Sequence, residues 1–194
     1  MIAIIDYSMG NIRSLANALS RLGAEWTLTA DPAVISAADH VILPGVGAAD
    51  RAMANLGARS LVPVIKNLRQ PVLGICVGMQ MMARSSEEGE AQCMGIFDAR
   101  VRRFTPQPGI KVPHMGWSPI ANLESKLFKG IDSGAFVYFV HSYYAPLCAD
   151  TIATARHPEM FSAALKYENF YGVQFHPEKS GAVGEAILGN FIRL

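Results

Sequence analysis

The run Pro71-Val72-Leu73-Gly74-Ile75-Cys76-Val77-Gly78-Met79-Gln80-Met81-Met82 constrains this chain more than any other stretch. Val72 to Ile75 is short and apolar, the pattern of a buried strand, and Met79 to Ala83 are good helix formers. Cys76 falls on the turn between them, with Gly74 and Gly78 two residues away on either side. A strand that turns directly into a helix presses backbone on backbone and needs small neighbours. Gly-x-Cys-x-Gly therefore has the form of a nucleophile elbow with sulfur in place of a serine oxygen. At the start of a helix, unpaired amides and the dipole favour thiolate over thiol. The amide of Val77 is placed to meet an oxyanion. The competing interpretation is a small apolar residue closing a core strand; the two glycines weigh against it.

The elements around this turn alternate. Ile2 to Asp6 reads as a strand buried on both faces, as in parallel sheets. Ile12, Leu15, Leu19 and Leu22 recur at helical spacing, with Gly23 as a C-cap. A strand at Glu25–Thr29, a short helix at Pro32–Ala38 and a buried strand at His40–Leu43 continue the βαβ pattern. The loop Pro44-Gly45-Val46-Gly47 follows, then helix from about Ala48 to Leu56. It lacks the further glycine of a dinucleotide fingerprint and the lysine of a P-loop. At the carboxyl edge of an open α/β sheet, however, it lies on the same side as Cys76 and can supply a second oxyanion amide.

Ser85-Ser86-Glu87-Glu88-Gly89-Glu90 reads as a solvated acidic turn. From Gly95 onward, short segments at Gly95–Phe104, Pro113–Ile120, Ala135–Tyr144, Thr151–Arg156, Ser162–Tyr167 and Tyr171–Phe175 alternate with Pro and Gly turns, predicting hairpins added to the parallel core. A helix over Gly184–Ile192 closes the chain. With no linker or repeat in view, residues 1–194 are expected to form a single domain.

Composition narrows the function classes. Charged residues are only 17% of the chain and the net charge is +1, with no dense basic stretch, so nucleic acid is not an expected partner. No apolar run approaches 18 residues and Asp6 interrupts the first one, so neither a membrane span nor a signal peptide is expected, and the cytoplasm is the expected location. Cys76, Cys93 and Cys148 form no C-x-x-C pair, and the five histidines show no metal-ligand spacing; no disulfide, metal or cofactor is expected.

A cysteine nucleophile needs a histidine to move protons and an acceptor to orient it. His-Pro-Glu occurs twice, at 157–159 and 176–178. The strand pattern Tyr171–Phe175 runs straight into His176, and in extended geometry His176 and Glu178 project the same way. Pro177 keeps His176 extended. His157-Pro158-Glu159 lies between two short strands, where a surface turn explains it.

With Cys76, the 44–47 loop and His176/Glu178 together, the sequence resembles the triad-type (class I) glutamine amidotransferases over nearly its whole length. Several stretches are similar to the branch that serves as glutaminase subunit of imidazole glycerol phosphate synthase: residues 4–11, Ser85–Gly89, Pro113-His114-Met115-Gly116-Trp117, Phe139–Tyr144 and Lys179-Ser180. The resemblance implies a flavodoxin-like, open, mainly parallel sheet flanked by helices. It implies Cys76, His176 and Glu178 as catalytic residues, Val46, Gly47 and Val77 at the oxyanion hole, and Gly45, Gln80, Ser142 and Tyr143 as contacts to L-glutamine. It also implies a separate cyclase subunit, a (β/α)8 barrel, that uses the ammonia in histidine biosynthesis, forming imidazole glycerol phosphate and an aminoimidazole carboxamide ribotide. Met115, Trp117, Tyr138 and Lys179 are the candidate docking residues of this heterodimer. Ordinary core packing is an equal account of Met115 and Trp117, and a solvated charge of Lys179. A paralogue feeding ammonia to another synthase, for example one aminating a surface sugar, would share the three motifs. A stand-alone cysteine hydrolase on a similar sheet and a non-catalytic module are the other readings.

Overall fold

A computed structural model describes residues 1–8 and 12–194; Met9, Gly10 and Asn11, the end of the 4–11 stretch, lie outside the described residues. The chain opens with β1 (Ile2–Ile5), whose four apolar residues are all buried, and α1 (Ile12–Arg21), which buries Leu15, Ala16, Ala18 and Leu19. Gly23, at φ +70°, ends α1 in the left-handed conformation, its N–H donating to the Ser20 carbonyl. After β2 (Trp26–Thr29), helix α2 (Pro32–Ala37) starts with Pro32 in its first turn and Asp31 accepting the Ala33 N–H at 2.8 Å. Then come β3 (His40–Leu43), α3 (Ala49–Ala58) and α4 (Leu61–Lys66). Helix α4 is not anticipated from the pattern: Pro63 reads as a breaker, yet it sits in the first turn, where no intrahelical donor is lost. Strand β4 (Val72–Ile75) and α5 (Val77–Met81) enclose Cys76.

The second half adds β5 (Ser85–Ser86), β6 (Ala91–Gln92), β7 (Arg100–Arg103), β8 (His114–Pro119), β9 (Phe136–His141), β10 (Tyr143–Tyr144), β11 (Thr151–Arg156), β12 (Met160–Tyr167), β13 (Phe170–Val173) and α6 (Gly181–Ile192). Seven strands form the main sheet in the order β11-β12-β13-β4-β3-β1-β2. Those from β13 to β2 pair in parallel, and β12 and β11 extend the edge antiparallel. The expected hairpins are present as β8–β9 and β11–β12, but β13 departs from the expectation. It is not only the last arm of a hairpin: its other edge pairs in parallel with β4, in the middle of the sheet. A fully apolar run predicts a strand buried on both faces without naming its neighbour. A four-stranded sheet (β10-β7-β5-β6) and the two-stranded ribbon β8–β9 stand beside the main sheet. No helix among the described residues is long and apolar enough to cross a membrane.

The tightest packing surrounds the end of β4. A Cβ on Gly78 would lie 2.0 Å from the Leu43 carbonyl oxygen, and one on Gly74 would lie 2.7 Å from the backbone of Gly78 and Met79. Both obstacles are backbone, which cannot swing aside. Gly78→Ala is therefore expected to lower stability by about 3 kcal/mol or abolish folding, read as a fall in the denaturation midpoint. Gly57→Ala, with no atom within 4 Å of the added carbon, is the control expected to leave the midpoint unchanged or raised.

Candidate active site

Cys76 occupies φ +54°, ψ −112°, a conformation that costs a non-glycine residue about 1–3 kcal/mol and survives only where the surroundings enforce it. Enforcement comes from three sides. The Cys76 N–H donates to the Val173 carbonyl at 2.8 Å, which joins the elbow to β13. Helix α5 begins at Val77, so the first N–H groups there lack intrahelical acceptors. On the third side Gly45 lies so close that an added Cβ would meet the Gly78 nitrogen at 2.3 Å. Gly45 is thus placed against the elbow backbone, and it is Val46 and Gly47 of that loop that line the pocket in front of Cys76. Tyr7, at the end of β1, anchors the loop by donating to the Pro44 carbonyl at 2.6 Å.

The pocket has a volume of about 330 Å³ and is also lined by Val77, Gln80, Ser142, Tyr143 and His176. His176 Nδ1 lies 2.8 Å from Glu178 Oε1, and each side chain is only 4% exposed. The route to this pairing differs from the extended one expected. Strand β13 ends at Val173 and Pro177–Lys179 forms a 3₁₀ turn, so His176 and Glu178 meet across a turn, although His176 itself is extended at φ −100°, ψ 97°. Burial alone would lower the His176 pKa. Its hydrogen bonds to Cys76 and Glu178 outweigh that and raise it to about 10. A buried imidazole raised in this way favours its protonated form beside the Cys76 sulfur, an arrangement suited to delivering a proton to a leaving group.

The class-I glutamine amidotransferase family model matches residues 3–194. The chain belongs to the class-I glutamine amidotransferases. The imidazole glycerol phosphate synthase subunit HisH of Bacteroides thetaiotaomicron is 55% identical over all 194 residues, covering 99% of that protein. The HisH subunit of Yersinia pestis is 46% identical, also covering 99% of that protein. In fold, the chain matches a glutamine amidotransferase crystal structure (TM-score 0.76, 15% identity, 100% of this chain and 98% of that one) and PurLQS from Thermotoga maritima (TM-score 0.72, 16% identity, 99% and 97%).

Within this amidotransferase, Gln80 is 2% exposed and its Nε2 donates both to the Tyr143 carbonyl and to Gln174 Oε1, each at 2.9 Å. Toward a ligand it therefore offers its oxygen only. Glu88, assigned above to a solvated turn, instead lines the pocket and accepts the Ala49 N–H at the start of α3 at 2.9 Å. Burial raises its pKa, against that hydrogen bond. An acidic run in one sequence carries no mark of this, because the partner amide is 39 residues away. Gln174 had a signal, a lone polar residue in an apolar strand run.

Three of the candidate docking residues, Met115, Trp117 and Tyr138, are on the β8–β9 ribbon, and Lys179 lies beside it in the Pro177–Lys179 turn. Met115 and Trp117 are 63% and 53% exposed. Lys179 Nζ stands 5.9 Å from the centre of the half-buried Tyr138 ring, and Trp117 meets the same ring edge-on. On the opposite face of β8, His114 is buried and meets two further histidines. His114 Nδ1 lies 3.0 Å from His141 Nε2, its cross-strand partner. His157, in the second His-Pro-Glu, is in the turn between β11 and β12 as expected, but its ring is stacked on His114 at 4.1 Å. It does not line the pocket.

Burial lowers the His114 pKa to about 4 and the His141 pKa to about 3, the neighbouring histidines adding to it. Both groups protonate in the unfolded chain near pH 6.5 and stay neutral when folded, so the stability they confer is present above that pH and is lost as pH falls toward about 4. Each is expected to remove on the order of 2 kcal/mol by pH 5. Denaturant titrations at pH 7 and pH 5 check this: His114→Asn should flatten the loss on acidification, and an unchanged slope would assign the loss elsewhere.

Proposed function

We infer that the chain is the glutaminase subunit of an imidazole glycerol phosphate synthase, one catalytic unit over residues 1–194. The observation that carries this reading is a cysteine held at a strained strand-to-helix turn, in a pocket with a buried His176–Glu178 pair. The full-length identity to HisH subunits supports the choice of synthase.

In this reading the Cys76 thiolate attacks the side-chain carboxamide carbon of L-glutamine. The N–H groups of Val77 and of the Val46–Gly47 loop stabilise the oxyanion. His176, oriented by Glu178, protonates the departing nitrogen, and ammonia leaves behind a γ-glutamyl thioester. The now neutral imidazole takes a proton from water, the resulting hydroxide adds to the thioester, and glutamate departs as the thiolate reforms. Ser142 and Tyr143 contribute backbone to the glutamine head group, and the Glu88 carboxylate is the natural partner of its ammonium. Gly45 packs against the elbow, and any contact it makes to glutamine is through its backbone.

Ammonia released in this pocket needs an acceptor site, which the reading assigns to a cyclase partner docked on Met115, Trp117, Tyr138 and Lys179. Tyr138 ties that face to the catalytic histidine, because its carbonyl accepts the His176 N–H at 2.9 Å and its N–H donates to Ser180 Oγ at 2.9 Å. The Ser180 hydroxyl in turn donates to the His176 carbonyl at 2.7 Å. A free thiolate suits a reducing compartment, and the reading places the enzyme in the cytoplasm.

Glutamate release from glutamine, measured for the chain alone and with a barrel cyclase and its nucleotide substrate, tests the assignment. Hydrolysis should rise by orders of magnitude with the partner and vanish in Cys76→Ser. Glutamine left untouched in every combination would sink it. Trp117→Ala should weaken partner binding by about 30-fold while leaving Cys76 as readily alkylated as before; unaltered affinity would remove Trp117 from the docking face.

A further inference from the structure

Gln174 is fully buried at the end of β13, its N–H donating to the Ala163 carbonyl at 2.9 Å. Its side-chain Nε2 lies 3.7 Å from Cys76 Sγ, within hydrogen-bond range for sulfur. The direction of that amide is dictated by a chain of partners. The Tyr143 carbonyl can only accept, so it takes an N–H from Gln80 Nε2 and another from His141 Nδ1, at 2.9 and 2.8 Å. With its amide nitrogen fixed there, Gln80 donates its second N–H to Gln174, whose oxygen must face it. Gln174 is left presenting N–H to the sulfur; the flipped amide would set nitrogen against nitrogen and oxygen against a thiolate. On the other side, His141 Nε2 accepts from His114 Nδ1, and His114 Nε2 accepts from the Ser118 hydroxyl at 2.8 Å.

We propose that Gln174 is a second hydrogen-bond donor to the Cys76 thiolate, beside His176, and that Gln80 and His141 are positioning residues that hold its amide in the donating orientation. The proposal rests on Cys76 being the nucleophile. A neutral donor differs from the imidazolium in one respect. It keeps its proton through the whole cycle, so the sulfur meets the same donor when the thiolate attacks and when it is expelled, while the proton on His176 comes and goes. The other titratable groups that bear on the sulfur are His176 from the turn after β13 and Tyr7 from the end of β1; His141 from the end of β9 and Glu88 from the segment after α5 line the same pocket. Of these only His176 also donates to it.

The test is the pH dependence of Cys76 alkylation by iodoacetamide in the full chain, with the modified cysteine located by mass spectrometry so that Cys93 and Cys148 do not contribute. Gln174→Met keeps the length and volume and removes the donor. Its alkylation midpoint should rise by about one pH unit, and Gln80→Met, which only frees the amide, should give a smaller rise. A midpoint equal to the parent's in folded Gln174→Met overturns the proposal. Should that variant fail to fold, the parent decides. The side-chain amide protons of Gln174 should shift with the Cys76 titration and lose that dependence in Cys76→Ser; a shift that ignores the titration overturns it equally. Alkylation reads the thiolate and not turnover, so an unaltered midpoint defeats this proposal alone, whereas a chain that never hydrolyses glutamine defeats the functional reading and leaves the donor standing.

Discussion

The parallel pairing of β4 with β13 is the contact on which the rest of the site depends. The two strands run in register, Ile75 beside Val173, so both end on the same line. The next residue of one is Cys76, and the next residues of the other are Gln174, Phe175 and His176. The hydrogen bond from the Cys76 N–H to the Val173 carbonyl closes that line. Cys76, Gln174 and His176, the proposed nucleophile, amide donor and acid–base group, thus come from two adjacent strand ends, although nearly 100 residues separate them in the chain. A slip of one residue would turn Gln174 to the other face of the sheet, away from Cys76, and put a neighbour of opposite facing in its place.

Around that line the charges are arranged sparingly. His176, with Glu178 behind it and the Cys76 sulfur in front, is the histidine of the site whose hydrogen bonds raise its pKa against burial. His141 and His114 are neutral because burial leaves no counter-charge to hold a proton. Tyr7 is kept protonated by burial and then by the Cys76 charge, so it can only donate to Pro44. Neutral donors and acceptors in a low-dielectric pocket fix orientations without competing for the proton that the reaction moves.

Local chemistry was legible in the sequence and tertiary juxtaposition was not. The elbow announced itself because strand, turn and helix are consecutive and two glycines mark where backbones touch. His176 and Glu178 were found because proline fixed the residue between them, even though the turn geometry replaced the extended one. Which strand β13 would sit beside could not be read, since an apolar run specifies burial and not a neighbour. Glu88 was hidden for a related reason: in an acidic turn it looks solvated until the start of α3 is seen above it. Metal spacing and the resemblance of their stretches were all that the sequence offered on His114 and His141, whereas their arrangement depends on their cross-strand pairing.

The β8–β9 ribbon shows how one strand serves two demands that pull apart. Alternation puts Met115 and Trp117 outward, where large exposed apolar side chains invite a partner, and His114 and Ser118 to the other side, where polar atoms must be satisfied internally. An apolar pair in place of His114 and His141 would bury as well and would resist acid. It would also leave the Tyr143 carbonyl with one donor fewer, and that carbonyl sets the orientation of Gln80 and, through it, of Gln174. Stability at low pH is therefore given up at the same positions that fix the polar face of the pocket, which explains why titratable groups occupy the core of a ribbon whose outer face needs only hydrophobicity.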